Sequence, residues 1–307
     1  MKVVITGANS AVGQAILRCA AALVVPHRAT PITFVAAVRS ERAAEQVRPL
    51  LGSRNSVVQI SYQDPSSLSK AFEGASALIH LTGVLVERSG STYEQANVVP
   101  ARNVVEAAKR SAVKKFVLIS ATGADERSAN RYYRSKGQAE ALVRGSGLCY
   151  TVLRAPLLLG PGTEGAAALA RNASLKKAKL IGGGRNLQQP LYVDDLARAA
   201  MQASDFSVAN NQTLDVVGPI SLPDREIVVR AAQLMGHQIQ IRCVPKGLAR
   251  LGLAIRQLAG RPGFSLDALE VITADTNLDP QPAASVLGIH LTGIDEMIKN
   301  SLGQGQR

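Results

Sequence analysis

The chain has 307 residues, 46% of them apolar, with 35 Lys and Arg against 23 Asp and Glu and a formal charge of +12. That size allows one large domain or two lobes sharing a cleft, and no apolar run reaches the length of a bilayer-spanning helix. Three far-apart cysteines argue against a disulfide framework or structural zinc, and the absence of Trp argues against base stacking on nucleic acid.

Val3-Val4-Ile5 reads as a buried parallel strand, and Thr6-Gly7-Ala8-Asn9 turns the chain. From about Ala11 the pattern is helical, with Val12, Ile16 and Leu17 on one face. A strand, a glycine-bearing turn and a helix start make an anion site of free backbone N–H groups. Gly7 permits the turn and Gly13 lets the helix pack closely on the strand; Ser10 stands where the dinucleotide fingerprint G-x-G-x-x-G has its middle glycine. The candidate cradle is therefore Gly7, Ala8, Asn9, Ser10, Ala11, Val12 and Gly13. The segment is itself strand one, with no basic, apolar leader before it, so a cytoplasmic protein is expected, with a peripheral membrane contact as the variant.

Residues 32–38 read as strand two, ending at Arg39-Ser40. An NAD site usually places a carboxylate there, on the ribose hydroxyls; Arg39 instead suits a 2′-phosphate, so NADP(H) is expected in preference to NAD(H). Strands follow at 56–60 and 77–81, with helices at 41–48 and from Asp64. A long helix over 93–110 is expected to kink at Pro100. Strand five is 115–120, a helix spans 131–144, and strand six covers 150–153. This alternation demands an α/β, doubly wound parallel sheet. Tyr62 after strand three and Leu81, Thr82 and Gly83 after strand four are further cofactor candidates.

After Arg154 the rhythm breaks into a Pro- and Gly-rich loop, and a smaller, mostly helical C-terminal lobe is expected over 156–307, packed on a nucleotide domain over 1–155. Its expected helices include 166–177, a segment opened by Asp194 as cap, 224–235, 246–258, 266–274 and 293–302, with a late strand over 213–217. In Lys246 to Leu258, Leu248, Leu251, Ile255 and Leu258 share a face opposite Lys246 and Arg250. That stripe serves either packing on the second lobe or weak contact with an anionic membrane surface. The cysteines are expected as buried small hydrophobes.

Tyr132 and Lys136 stand four apart on a helix, so they share a face. A phenol titrates near pKa 10, and an adjacent ammonium would lower that value and could also hold a ribose hydroxyl. A hydroxyl at the end of strand five, Ser120 or Thr122, could bond a substrate carbonyl while the phenol moves the proton.

Thr6-Gly7-Ala8-x-x-x-x-Gly13, Tyr132-x-x-x-Lys136, residues 78–83, Asn97, residues 153–156 and residues 191–195 together resemble the short-chain dehydrogenase/reductase superfamily, in its extended or atypical branch. Within it, residues 131–140 and 154–162 most resemble proteins like the nucleotide-binding accessory subunit of respiratory complex I. The resemblance implies a Rossmann fold, proton transfer by Tyr132, ribose binding by Lys136, substrate orientation by Ser120 or Thr122, and a nicotinamide amide facing the backbone of Ala155 and Pro156. Three functions follow: a reductase of a small organic or isoprenoid carbonyl, a non-catalytic NADP-binding partner protein, or a sugar-nucleotide epimerase or dehydratase.

Overall fold

The computed structural model describes residues 1–22, 32–81, 83–88, 90–258 and 264–303; Thr82 lies outside them, as do the side chains of 256–258. The first half alternates as the apolar runs demand: β1 (Lys2–Thr6), α1 (Ala11–Ala22), β2 (Thr33–Val38), α2 (Glu41–Val47), β3 (Ser56–Gln59), α3 (Pro65–Phe72) and β4 (Ala77–His80). Then come α4 (Val99–Arg110), β5 (Lys115–Ala121), α5 (Arg131–Arg144) and β6 (Cys149–Ala155). The expected long helix before β5 begins as a π-helical turn, Glu94–Val98, and Pro100 stands in the first turn of α4. Proline has no N–H to donate, so the irregularity falls just ahead of it.

The second half contains β7 (Leu158–Leu159), α6 (Glu164–Ala173), β8 (Lys177–Ile181), β9 (Leu187–Gln188), β10 (Leu191–Tyr192), α7 (Val193–Ala203), β11 (Gln212–Asp215) and β12 (Leu222–Pro223). It continues with α8 (Asp224–Leu234), β13 (Gln240–Val244), α9 (Lys246–Leu258), α10 (Leu266–Ile272), α11 (Gln281–Leu287) and α12 (Ile294–Ser301). The expected helix over 166–177 stops at Ala173, and Lys177 opens a strand that pairs in parallel with β13. Asp194 lies inside the first turn of α7, where Tyr192 is the cap residue and no side chain caps.

Seven parallel strands form one sheet in the order β11-β6-β5-β4-β1-β2-β3. The order reverses between β1 and β4, and the strand ends there open the crevice used by doubly wound folds. Period-two alternation sends Val3 and Ile5 to the face covered by α1 and α7, and Val4 to the face covered by α3, α4 and α5. Both faces are buried, so the strands are apolar almost throughout.

The seventh strand, β11, comes from well beyond residue 155, and α7 packs against α1. The sheet therefore does not end at the boundary expected from the break in rhythm: β6 is apolar enough to need a neighbour on both edges, and the later chain supplies it. Among the described residues no helix is long and apolar enough to cross a membrane. Cys19 and Cys149 are half-buried, but Cys243 is exposed on β13, contrary to the buried role expected for all three. A two-stranded ribbon leaves one side open to water.

Candidate functional site

At the end of β1, Gly7 takes φ 75°, a left-handed conformation that favours glycine, and its N–H donates to Ala37 O at 3.1 Å. Ser10 turns back on its own helix: its Oγ accepts from Gly13 N at 3.2 Å, and its carbonyl from Gln14 N at 2.9 Å. Serine in the fingerprint's middle position thus acts as a cap, leaving the Ala11 and Val12 N–H groups at the helix start for an anion. A Cβ on Gly13 would stand 2.4 Å from Ala8 O, so the close approach is to the turn rather than to the strand.

A cleft of about 510 Å³ opens over this turn. Of the sequence candidates, Gly7, Asn9, Ser10, Arg39, Tyr62, Leu81 and Gly83 line it. Ala8 and Val12 are buried beneath it, and Ser40 is occupied as the cap of α2, accepting from Ala43 N at 3.3 Å. Ser61, Gln95 and Pro100 also line the cleft. The turn and its free N–H groups suit the phosphates of a dinucleotide, and the exposed Arg39 guanidinium stands at the rim of the cleft.

Behind Gly83 lies Lys136. A Cβ on Gly83 would be 3.2 Å from the Lys136 Nζ and 3.3 Å from Asn97 Oδ1. Asn97 accepts from Val84 N at 2.7 Å and donates to Ser135 Oγ at 2.8 Å, clamping the segment after β4 to α5. The Lys136 ammonium donates to Ile119 O at 3.0 Å. Burial lowers its pKa to about 8, with the Glu140 charge opposing that fall.

Tyr132 packs against Tyr93, with ring centroids 5.9 Å apart, and against Tyr133 at 5.7 Å. Burial, then Tyr133 and Tyr93, push its phenol above the ordinary value. This corrects the expected effect of Lys136: the ammonium is engaged with β5, and the phenol stays firmly protonated. Ser120 follows Phe116 and Leu118 on the α5 side of the sheet, and its buried Oγ has no partner among the described residues. Thr122 is held through its backbone N–H, which donates to Ala155 O at 3.0 Å. Ala155 is buried and pairs with Ala121; neither it nor Pro156 lines the cleft.

Residues 7–181, more than half of the chain, match the family model described as NAD(P)H-binding. The chain belongs to this NAD(P)H-binding family. It is 26% identical over 243 residues to the mitochondrial NADH dehydrogenase [ubiquinone] 1 alpha subcomplex subunit 9 of Arabidopsis thaliana, covering 74% of this chain and 60% of that one. It is 26% identical over 181 residues to the ceramide reductase of Caulobacter vibrioides, covering 59% and 57%. The chain thus spans about three fifths of the length of these relatives. In fold it superposes on the UDP-glucuronic acid 4-epimerase of Bacillus cereus, solved with UDP-glucuronic acid and NAD, at TM-score 0.76 and 16% identity, covering 100% and 99% of the two chains. The resemblance to extended short-chain dehydrogenases/reductases is borne out.

Some residues inside the motifs of this NAD(P)H-binding protein have roles that the motifs did not disclose. His80 is fully buried at the end of β4; its Nδ1 meets Thr6 Oγ1 at 2.7 Å, and burial followed by the Lys136 charge lowers its pKa to about 3, keeping it neutral. Glu140, fully buried one turn after Lys136, accepts from Arg154 Nε at 2.9 Å and from Arg144 Nη1 at 2.9 Å. Arg154 also donates to Ala124 O at 2.9 Å, so the arginine of the 153–156 motif brackets α5, β6 and the loop after β5. Only Gly137, in the midst of the tyrosine–lysine helix, carried a signal: a helix-interior glycine normally costs stability unless something packs on it.

The buried lysine makes a stability prediction. Its pKa falls from 10.5 to about 8 on folding, so below pH 8 both states are charged and the desolvation cost is fully present. Between about pH 8 and 10.5 the folded state has lost the proton that the unfolded state still holds, and the cost is progressively relieved. Lys136→Met should therefore stabilise the cofactor-free protein at pH 7, net by on the order of 1 kcal/mol after the lost Ile119 bond, and should lose that advantage above about pH 10.5, where only the lost bond remains. Thermal melts of both proteins across that range check it; a variant less stable at pH 7 refutes it.

Proposed function

We propose that the chain is an NADP(H)-dependent oxidoreductase that reduces a small organic or isoprenoid carbonyl. The observation that carries this reading is the buried, unpartnered hydroxyl of Ser120 at the end of β5 with the Lys136 ammonium behind Gly83, beside a protonated phenol on Tyr132 in the same helix as Lys136. Bound nicotinamide supplies the hydride. Ser120 Oγ is the donor free to orient a carbonyl oxygen, and Tyr132, as an acid, delivers the proton to that oxygen. Lys136 holds a ribose hydroxyl from behind Gly83. The name of the Caulobacter relative, a reductase of a lipid, supports the class of reaction. The experiment is NADPH oxidation with a panel of quinone, isoprenoid and short-chain carbonyls, run beside retention of UDP-sugars. Oxidation with one carbonyl class supports the proposal; UDP-sugar retention without carbonyl reduction would move the reading to an epimerase.

One observation favours a second reading, a non-catalytic NADP(H)-binding protein. The Tyr132 ring rests on two tyrosines, while Lys136 spends its ammonium on β5. Tight NADPH binding with no turnover on any carbonyl would favour it.

For the cofactor, Arg39→Ala should weaken NADPH at least about tenfold and leave NADH within about twofold, because a guanidinium grips a phosphate and gains little from a ribose hydroxyl. Binding isotherms for both cofactors decide this; equal affinities in the wild type would end the NADP(H) preference.

A further inference from the structure

The apolar stripe of α9 is not packed on the protein. Leu248, Leu251 and Ile255 are 63%, 57% and 59% exposed, along a helix about 20 Å long. The partly covered positions are Ala249, Leu253 and Ala254. Three large aliphatics along one helix face go beyond the scattered apolar exposure of an ordinary surface.

The helix and the ribbon leading into it carry charge of one sign. Between Glu226 and Asp267 the sequence has no acidic residue, and between Glu164 and Asp194 none either. The structure joins these two segments: β8 pairs with β13, which leads into α9. Lys179 stands directly across from Arg242, both exposed, a like-charge pairing that is unfavourable unless an anion compensates it. A Cβ on Gly182, at the end of β8, would lie 3.2 Å from Lys246 Cε, so the lysine stem at the start of α9 lies over the ribbon. Lys246 and Arg250, both exposed, lie across the helix from the exposed leucines.

We propose that α9 and the β8–β13 ribbon form one docking surface for an anionic lipid bilayer. The helix lies in the interface with Leu248, Leu251 and Ile255 in the acyl boundary, and Lys179, Arg242, Lys246 and Arg250 meet the headgroups. An apolar stripe on a helix and ribbon whose own charges are all basic matches a surface that is greasy within and negative at its rim. The surface adjoins the proposed substrate side. Next in the chain, α10 packs on α9 and on α5; Asp267 accepts from Arg131 N at 2.8 Å, and Ser265 bonds the phenol of Tyr93, which lies against Tyr132. Docking stands apart from catalysis, since vesicle binding is read without turnover.

The protein contains no tryptophan, so Leu251→Trp is a unique reporter. Full-length protein is mixed at low salt with vesicles rich in phosphatidylglycerol and with pure phosphatidylcholine vesicles, and followed by flotation and emission. Expected are flotation with the anionic vesicles, at least about tenfold weaker binding to neutral ones, and a blue shift of the Leu251→Trp emission. Leu251→Ser with Ile255→Ser, and separately Lys246→Glu with Arg250→Glu, should each weaken binding at least about tenfold while NADPH affinity stays unchanged. Wild-type protein left wholly in solution, or an unshifted emission from vesicle-bound protein, overturns the proposal. So does self-association without flotation that the serine pair abolishes, which would make a second copy the occupant.

Discussion

Tyr132→Phe is expected to lower turnover by on the order of a hundredfold or more while leaving NADPH affinity within about twofold. The substitution removes one oxygen. The ring contacts with Tyr93 and Tyr133 use the ring, and the start of α5 is fixed by Asn130, whose Oδ1 accepts from Tyr132 N at 3.1 Å and Tyr133 N at 3.3 Å. The helix therefore keeps its place, and the change falls on proton delivery alone. Burial holds the phenol in its acid form through the neutral range, the state a carbonyl reduction requires. Lys136→Ala should behave differently and weaken cofactor binding as well. Full activity in Tyr132→Phe would be the plainest refutation.

Gly137→Ala is expected to destabilise the protein by about 3 kcal/mol or more and to weaken NADPH at least about tenfold. A Cβ at Gly137 would lie 2.2 Å from Glu126 N and 2.3 Å from Asp125 C. Both are backbone atoms, so no rotamer change relieves the overlap. Helix α5 must lift from the loop after β5, which draws Lys136 from Ile119 and strains the Glu140–Arg154 bracket. Gly252→Ala is the control: nothing stands within 4 Å of its Cβ position, in the midst of α9, and a helix gains from alanine. Thermal unfolding and cofactor titration on both variants test the contrast. A Gly137→Ala protein melting with the wild type would show that the Asp125–Glu126 loop yields at little cost.

The elements readable in the sequence were those fixed by local signals. β1, its glycine turn and α1 follow from a β-branched run giving way to helical spacing, and α5 begins at the expected Arg131 because Asn130 caps it and ends at the expected Arg144 before Gly145. β8 and β13 were not readable: Lys177-Ala178-Lys179-Leu180 continues a preceding helix as well as it starts a strand, and only pairing with residues 240–244 decides. At the site, helical spacing correctly put Tyr132 and Lys136 on one helix. It could not show that the lysine reaches a β5 carbonyl while the tyrosine meets Tyr93, contacts with residues far off in the chain. The proposal of Ser120 over Thr122 rests on burial of an unpartnered hydroxyl, which no spacing encodes.

The placement of β11 at the sheet's edge bears on how the protein is made. Chains leave the ribosome from their N-terminus, and β6 is complete many residues before β11. Until Asp215 has been synthesised, the outer edge of β6 offers an unpaired row of N–H and C=O groups, and α1 lacks the cover of α7. A stalled or truncated product ending between Ala155 and Gln212 thus carries a sticky strand that another nascent chain can join. The family match stops at residue 181, inside that interval, so a fragment cut at that boundary would inherit the same unfinished edge.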